Sequence, residues 1–199
     1  MTKPILAAQL TIQDWVQSLA RIPAEAFTQE NVQHHIHHHA IIPSSLEPYT
    51  YFSPKRYTRN LIFKNDVFEC LALCWDIGQA SSIHDHADKL GWIYLVTGRL
   101  FVQSYRLEQR DPSRRSCRLI ATDSAELGGN PAAYVDREQA IHKVSNLARF
   151  RERAISVHIY QQPLSECEAY SLETGTYEVV QLSYTSEFGH LNPGINLDS

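Results

Sequence analysis

The sequence predicts a mainly-β protein, an antiparallel sandwich or barrel preceded by α-helices, and three observations carry that prediction. Helical periodicity is confined to the segment 1–42, short apolar or alternating runs recur between turn signals from Tyr57 onward, and no helical pattern separates those runs. Alternating βα units and a parallel sheet are therefore not expected.

In "TIQDWVQSLARI", Ile12, Trp15, Leu19 and Ile22 fall on one helical face, with Thr11 placed to cap it. Pro23 separates this helix from a second through "AEAFTQENVQHHIHH", which Pro43 is expected to end. The second helix leads into "HHIHHH". Its His34 and His38 share a helix face and could chelate, yet nothing nearby supplies a third ligand, so they read as a solvated helix end. The strand-rich body, 57–190, follows as "YTRNLIF", "VFECLALCW", "GWIYLVTG", "RLFVQSYRL", "SCRLIAT", "AAYVD", "QAIHKVS", "AISVHIYQQ", "EAYSLE" and "TYEVVQLSY".

With 199 residues and 43% hydrophobic content, the chain is expected to form one domain over 1–199. A net charge of −4, without any block of Lys or Arg, argues against nucleic acid or an anionic membrane as partner and favours a small molecule. Neither a leader pattern nor a membrane-length apolar run is present, so a soluble, cytoplasmic protein is expected. Cys70, Cys74, Cys117 and Cys167 are too sparse for a disulfide scaffold. Cys70 and Cys74 share a strand face and read as buried small hydrophobes, and burial is also expected for Cys167.

The chemistry concentrates in "SSIHDHADKLGWIYLVTG" (81–98). On a strand His84 and His86 project together, whereas on a helix they would diverge, so the pair reads as a strand-borne chelate. Around it runs a frame: Gly78, five residues, His84, one, His86, four, Gly91, six, Gly98. Downstream, His142 is followed after three residues by Asn146.

This frame resembles the two motifs of the cupin β-barrel, a jelly-roll-like antiparallel sandwich. The resemblance implies a metal held by His84, His86 and His142. Gly91 stands where cupins usually carry a glutamate, and Arg137 and Gln139 replace the usual proline and glycine before His142. Three neutral imidazoles leave the metal its full positive charge, which suits an anionic ligand such as a thiolate. The resemblance narrows to the cysteine dioxygenases through "YTRNLI" (57–62), "LCWDIGQASSIHDH" (73–86), "IHKVSN" (141–146) and "SVHIY" (156–160).

That family resemblance implies a non-haem Fe(II) cofactor and oxidation of the thiol of L-cysteine by O2 to cysteine sulfinic acid. L-cysteine would bind through its thiolate and amine. Arg59 would hold its carboxylate, with Tyr57 near the pocket; related mercaptopropionate dioxygenases carry Gln at the arginine position. Ser156, His158 and Tyr160 alternate with Ile155, Val157 and Ile159, a pattern that equally describes a sheet face turned to water. In the family the matching residues form a relay, with Tyr160 beside substrate or oxygen, His158 its partner and Ser156 steadying His158. Some relatives carry a cysteine at the Gly91 position that links covalently to the tyrosine; Gly91 cannot, so Tyr160 is expected to be unmodified. Trp75 matches a residue near the family's pocket but reads equally as a core aromatic. A dioxygenase for another small thiol such as 3-mercaptopropionate, a hydrolytic zinc enzyme and a non-catalytic, thiol-sensing cupin remain open alternatives.

Overall fold

The computed structural model describes residues 8–128, 132–135 and 141–198. β1 (Ala8–Leu10) leads into α1 (Ile12–Leu19), whose Thr11 cap accepts the Asp14 amide at 3.2 Å. The expected second helix divides. Ala24–Ala26 form one 3-10 turn, and α2 (Gln29–His38) starts anew because Thr28 provides a fresh N-cap for Asn31. Nor does Pro43 end this helix. The chain turns extended at His39, and β2 (His39–Ile41) pairs in parallel with β1; Pro43 instead opens a 3-10 helix over Pro43–Tyr49, where its missing N–H is harmless.

The body follows the expected order: β3 (Thr58–Lys64), β4 (Phe68–Trp75), β5 (Ile83–His84), β6 (Gly91–Thr97), β7 (Arg99–Asp111), β8 (Ser116–Gly128), β9 (Ala132–Val135), β10 (Ile141–Ser145), β11 (Ala154–Gln161), β12 (Glu166–Ser171), β13 (Thr176–Gln181), β14 (Ser186–Glu187) and β15 (His190–Leu191). One sheet closes on itself in the order β10-β5-β12-β13-β8-β7, and the other runs β15-β14-β3-β4-β11-β6-β9. The antiparallel barrel predicted from the strand spacing is realised. β14 is the exception, joining β3 in parallel and placing the Thr185 amide on the Arg59 carbonyl at 2.7 Å.

Every residue of β4 is buried, because both faces of its sheet are covered. Phe68, Cys70 and Ala72 face the N-terminal segment, packing with Trp15, Leu19, Val32 and Leu46; Leu71, Leu73 and Trp75 face the barrel interior with Ile93, Leu95 and Tyr160. β11 obeys the same alternation. Ile155, Val157 and Ile159 lie against the helices, whereas Ser156, His158 and Tyr160 are turned inward at 3% exposure or less, so that polar face meets the barrel interior rather than water. Cys70, Cys74 and Cys167 are buried and, like Cys117, free.

Candidate metal centre and substrate pocket

His84 and His142 meet because β5 and β10 pair in register at those two residues, a cross-strand relationship that puts both imidazoles on one face. His86 arrives differently from the expected strand-borne pair. β5 ends at His84, and Ala87 and Asp88 take left-handed φ of 49° and 60°, so a tight turn brings His86 back toward its neighbour. Ring centroids stand 5.4 Å apart for His84 and His86, and 4.9 Å from each of these to His142. Ligand atoms of the three residues all lie within 4.8 Å of one another.

The turn is tied on both sides. Ser81 exchanges hydrogen bonds with the backbone of Val144, and Asp85 accepts the Glu168 amide at 2.8 Å and lies 3.4 Å from the Tyr170 hydroxyl. Glu168 is itself gripped through both oxygens by Arg110, at 2.8 and 2.6 Å. Asn146, the other residue of the second motif, donates to the carbonyls of Trp75 and Glu152 and so fixes the end of β10. Arg137 and Gln139 lie outside the described residues.

Protonation favours metal binding. Burial lowers the His84 pKa to about 4, and burial plus neighbouring imidazoles hold His86 and His142 well below the ordinary histidine range. All three rings are thus neutral ligands at pH 7. His84 Nδ1 donates to the Ser82 carbonyl at 3.0 Å, which leaves Nε2 for a metal. Both nitrogens of the buried His86 and Nδ1 of His142 lack hydrogen-bond partners among the described residues. Unpartnered imidazoles converging in a buried space fit a divalent transition metal, and their nitrogen set with no carboxylate or thiolate suits iron or zinc.

Beside this cluster Tyr160 stacks edge-on to His86 at 5.0 Å. Its hydroxyl lies 3.3 Å from His158 Nδ1, and His158 Nε2 lies 2.9 Å from Ser156 Oγ. A further member, Trp75, donates its indole N–H to Ser156 Oγ at 2.9 Å. Trp75 also carries Tyr57, stacked on it at 4.4 Å and 17°. Burial holds His158 well below its usual range, so it is neutral, and burial pushes the Tyr160 hydroxyl up to about 12 against the pull of the Arg59 charge.

Gly91 sits opposite Tyr160 in the β6–β11 register. A Cβ there would come within 2.9 Å of His86 Nδ1 and 3.4 Å of the Tyr160 ring, so the glycine lets both side chains close on the same spot. It also leaves Tyr160 without a thiol neighbour at that position.

Arg59 reaches into the same interior from β3, its guanidinium carbon 6.0 Å from the Tyr160 ring centroid. Its Nε and one terminal nitrogen are buried without a partner, and among the described residues no carboxylate forms an ion pair with it. An unpaired buried cation is costly unless an anion completes it. A cavity of about 220 Å³, lined by Arg56, Tyr57, Arg59, Ser82, Gln181, Leu182, Ser183 and Thr185, opens onto it.

All the sequence-predicted site residues therefore come together in one interior. Missing from the sequence reading were the tie from Asp85 to Glu168 and the carboxylate of Glu69, which is wholly buried one strand from Tyr160. An acid within the otherwise apolar "VFECLALCW" was the available signal for Glu69.

A family profile described as "Cysteine dioxygenase type I" matches residues 1–173. Cysteine dioxygenase type 1 of Rattus norvegicus is 30% identical over 195 residues, covering 97% of this chain and 95% of its own length. The Bos taurus protein of the same name is 31% identical over 185 residues, covering 92% and 90%. Among solved structures, a cupin superfamily protein from Desulfitobacterium hafniense aligns with a TM-score of 0.42 at 11% identity, covering 61% of this chain and 88% of that one.

Proposed function

The chain belongs to the cysteine dioxygenase type I family, and from that premise we propose how its own residues carry out the reaction. It is an iron-dependent thiol dioxygenase that oxidises the thiol of L-cysteine with O2 to cysteine sulfinic acid. When bound, non-haem Fe(II) supplies the Lewis acidity that keeps a thiol deprotonated and the redox chemistry by which both atoms of dioxygen pass to sulfur.

The observation that carries the assignment of roles is the buried Arg59 guanidinium, two of whose nitrogens have no partner among the described residues, in the same interior as the convergent His84, His86 and His142. In this reading the three histidines hold the iron. Arg59 receives the substrate carboxylate with its planar fork, which matches two carboxylate oxygens at once and orients the thiol and amine toward the iron. Tyr57, stacked on Trp75 at the pocket wall, closes one side of the bound amino acid.

Tyr160 places a proton beside the reacting sulfur. The indole of Trp75 can only donate, so Ser156 accepts from it, and in this reading Ser156 gives its own proton to His158 Nε2. Neutral His158 then carries its proton on Nδ1 and donates it to the Tyr160 oxygen, leaving the Tyr160 O–H free to point into the pocket. Four free cysteines fit a reducing compartment, and we place the enzyme in the cytoplasm.

The test is oxygen uptake by iron-loaded protein with L-cysteine and, in parallel, 3-mercaptopropionate, with the sulfinate identified by mass. Uptake matched one to one by cysteine sulfinate, with preference for L-cysteine, supports the reading. Preference for the other thiol keeps the mechanism and changes the substrate, and no uptake by fully loaded protein rejects the activity.

A further inference from the structure

Glu69 is 0% exposed and carries no contact ion pair among the described residues. A buried carboxylate is costly unless its oxygens are satisfied, and here each accepts one hydrogen bond: the Leu164 amide at 3.0 Å and the Tyr184 hydroxyl at 2.5 Å. Lys64 Nζ approaches the far side of that hydroxyl at 3.4 Å.

Strand register fixes where this charge lies. Glu69 on β4 stands directly opposite Tyr160 on β11, so both side chains occupy the same inward face, and the Arg59 guanidinium carbon lies 6.0 Å from the Tyr160 ring centroid. Neutral donors on two flanking segments, the loop at Leu164 and the stretch at Tyr184, restrain the carboxylate. Arg59 consequently keeps its Nε and one terminal nitrogen open while a carboxylate stands on the same inward face.

We propose that Glu69 is a specificity-determining residue, a counter-charge held off the Arg59 fork by Tyr184 and the Leu164 amide, which sets how strongly the pocket takes a thiol bearing a carboxylate over one without. The inference rests on the reading of Arg59 as the carboxylate partner. Each of the Arg59, Tyr160 and Tyr184 protonation equilibria feels the Glu69 charge, as its position requires. The arrangement trades affinity against release: a nearby anion weakens the hold of the pocket on an anionic ligand without touching it.

Two variants pull in opposite directions. Glu69→Gln keeps the size of the side chain and removes the charge; its oxygen can still accept the Leu164 amide, while its NH2 donates to the Tyr184 oxygen in place of accepting from it. Tyr184→Phe keeps the charge but frees one oxygen to turn toward Arg59. Binding is measured by anaerobic titration of iron-loaded protein with L-cysteine and with cysteamine, which has the thiol and amine but no carboxylate. Glu69→Gln is expected to bind L-cysteine several-fold more tightly, with cysteamine unchanged. Tyr184→Phe is expected to weaken L-cysteine alone, and adding Glu69→Gln to it should remove that loss. An unchanged L-cysteine to cysteamine ratio in both single variants overturns the proposal, as does equal weakening of both ligands, the mark of a purely structural role. Wild-type protein that binds cysteamine as tightly as L-cysteine would overturn the role of Arg59 itself, and this inference with it.

Discussion

The hydroxyl of Tyr160 lies 3.3 Å from Nδ1 of His158, whose Nε2 in turn lies 2.9 Å from Ser156 Oγ. Trp75 holds that serine in place by donating its indole N–H to it. Tyr160→Phe should therefore leave the iron site intact while slowing turnover by roughly 10²–10⁴-fold, the usual range for a positioned proton donor. Iron content together with oxygen consumed per sulfinate formed makes the check; a wild-type rate with full coupling would remove Tyr160 from the chemistry. Trp75→Phe should give a smaller loss, because Ser156 then becomes free to turn its proton away.

In the proposed reading, Arg59 is the residue by which the pocket distinguishes its substrate. Replacing it with Gln removes a buried charge-assisted pair, an effect of about 1.5–3 kcal/mol, or roughly ten- to more than a hundredfold in L-cysteine affinity. Cysteamine, with nothing to offer the guanidinium, should bind as before. Equal loss for both thiols would show that Arg59 acts on the fold of the pocket instead.

The iron ligands are predicted to be individually essential, and their support measurably so. His84→Ala, His86→Ala and His142→Ala should each lose stoichiometric iron, since two imidazoles remain in each variant. Asp85→Ala leaves all three ligands but releases the turn from the Glu168 amide. Its iron affinity should fall by about 10–100-fold, the scale of a lost supporting contact. Metal analysis after dialysis against a graded chelator reads both effects, and full iron retention in any histidine variant would exclude that residue.

Most of this site was legible through the family resemblance, and the strand period of two added only which side chains share a face. Ser156, His158 and Tyr160 alternate with Ile155, Val157 and Ile159, and the register then turns all three polar residues onto one inward face. What the alternation could not reveal was that both faces are buried, since the covering helices come from the far end of the chain. The same limit applies to His86. Its HxH spacing suggested a strand, but the strand stops at His84, and a turn with left-handed Ala87 and Asp88 does the aiming. Local sequence also missed β1 and β2, because a two-stranded parallel pair depends on partners separated by both helices.

Acid should destabilise the metal-free protein in a window set by its buried histidines. Burial lowers His35 and His84 from the ordinary 6.5 to about 4 and holds His86, His142 and His158 well below the ordinary range. Between those values the unfolded chain binds more protons than the folded one, so stability rises with pH there. The stabilisation is present above about pH 6.5 and is lost progressively as the pH falls toward 4. His35 isolates the effect away from the iron site, packed edge-on against Trp15 at 4.8 Å with Nε2 unpartnered. Thermal unfolding of metal-free wild type and His35→Phe at pH 7, 5.5 and 4.5 should show a shallower acid loss in the variant, because one of the groups that must take up a proton is gone. Parallel curves would mean that His35 remains protonated where it packs.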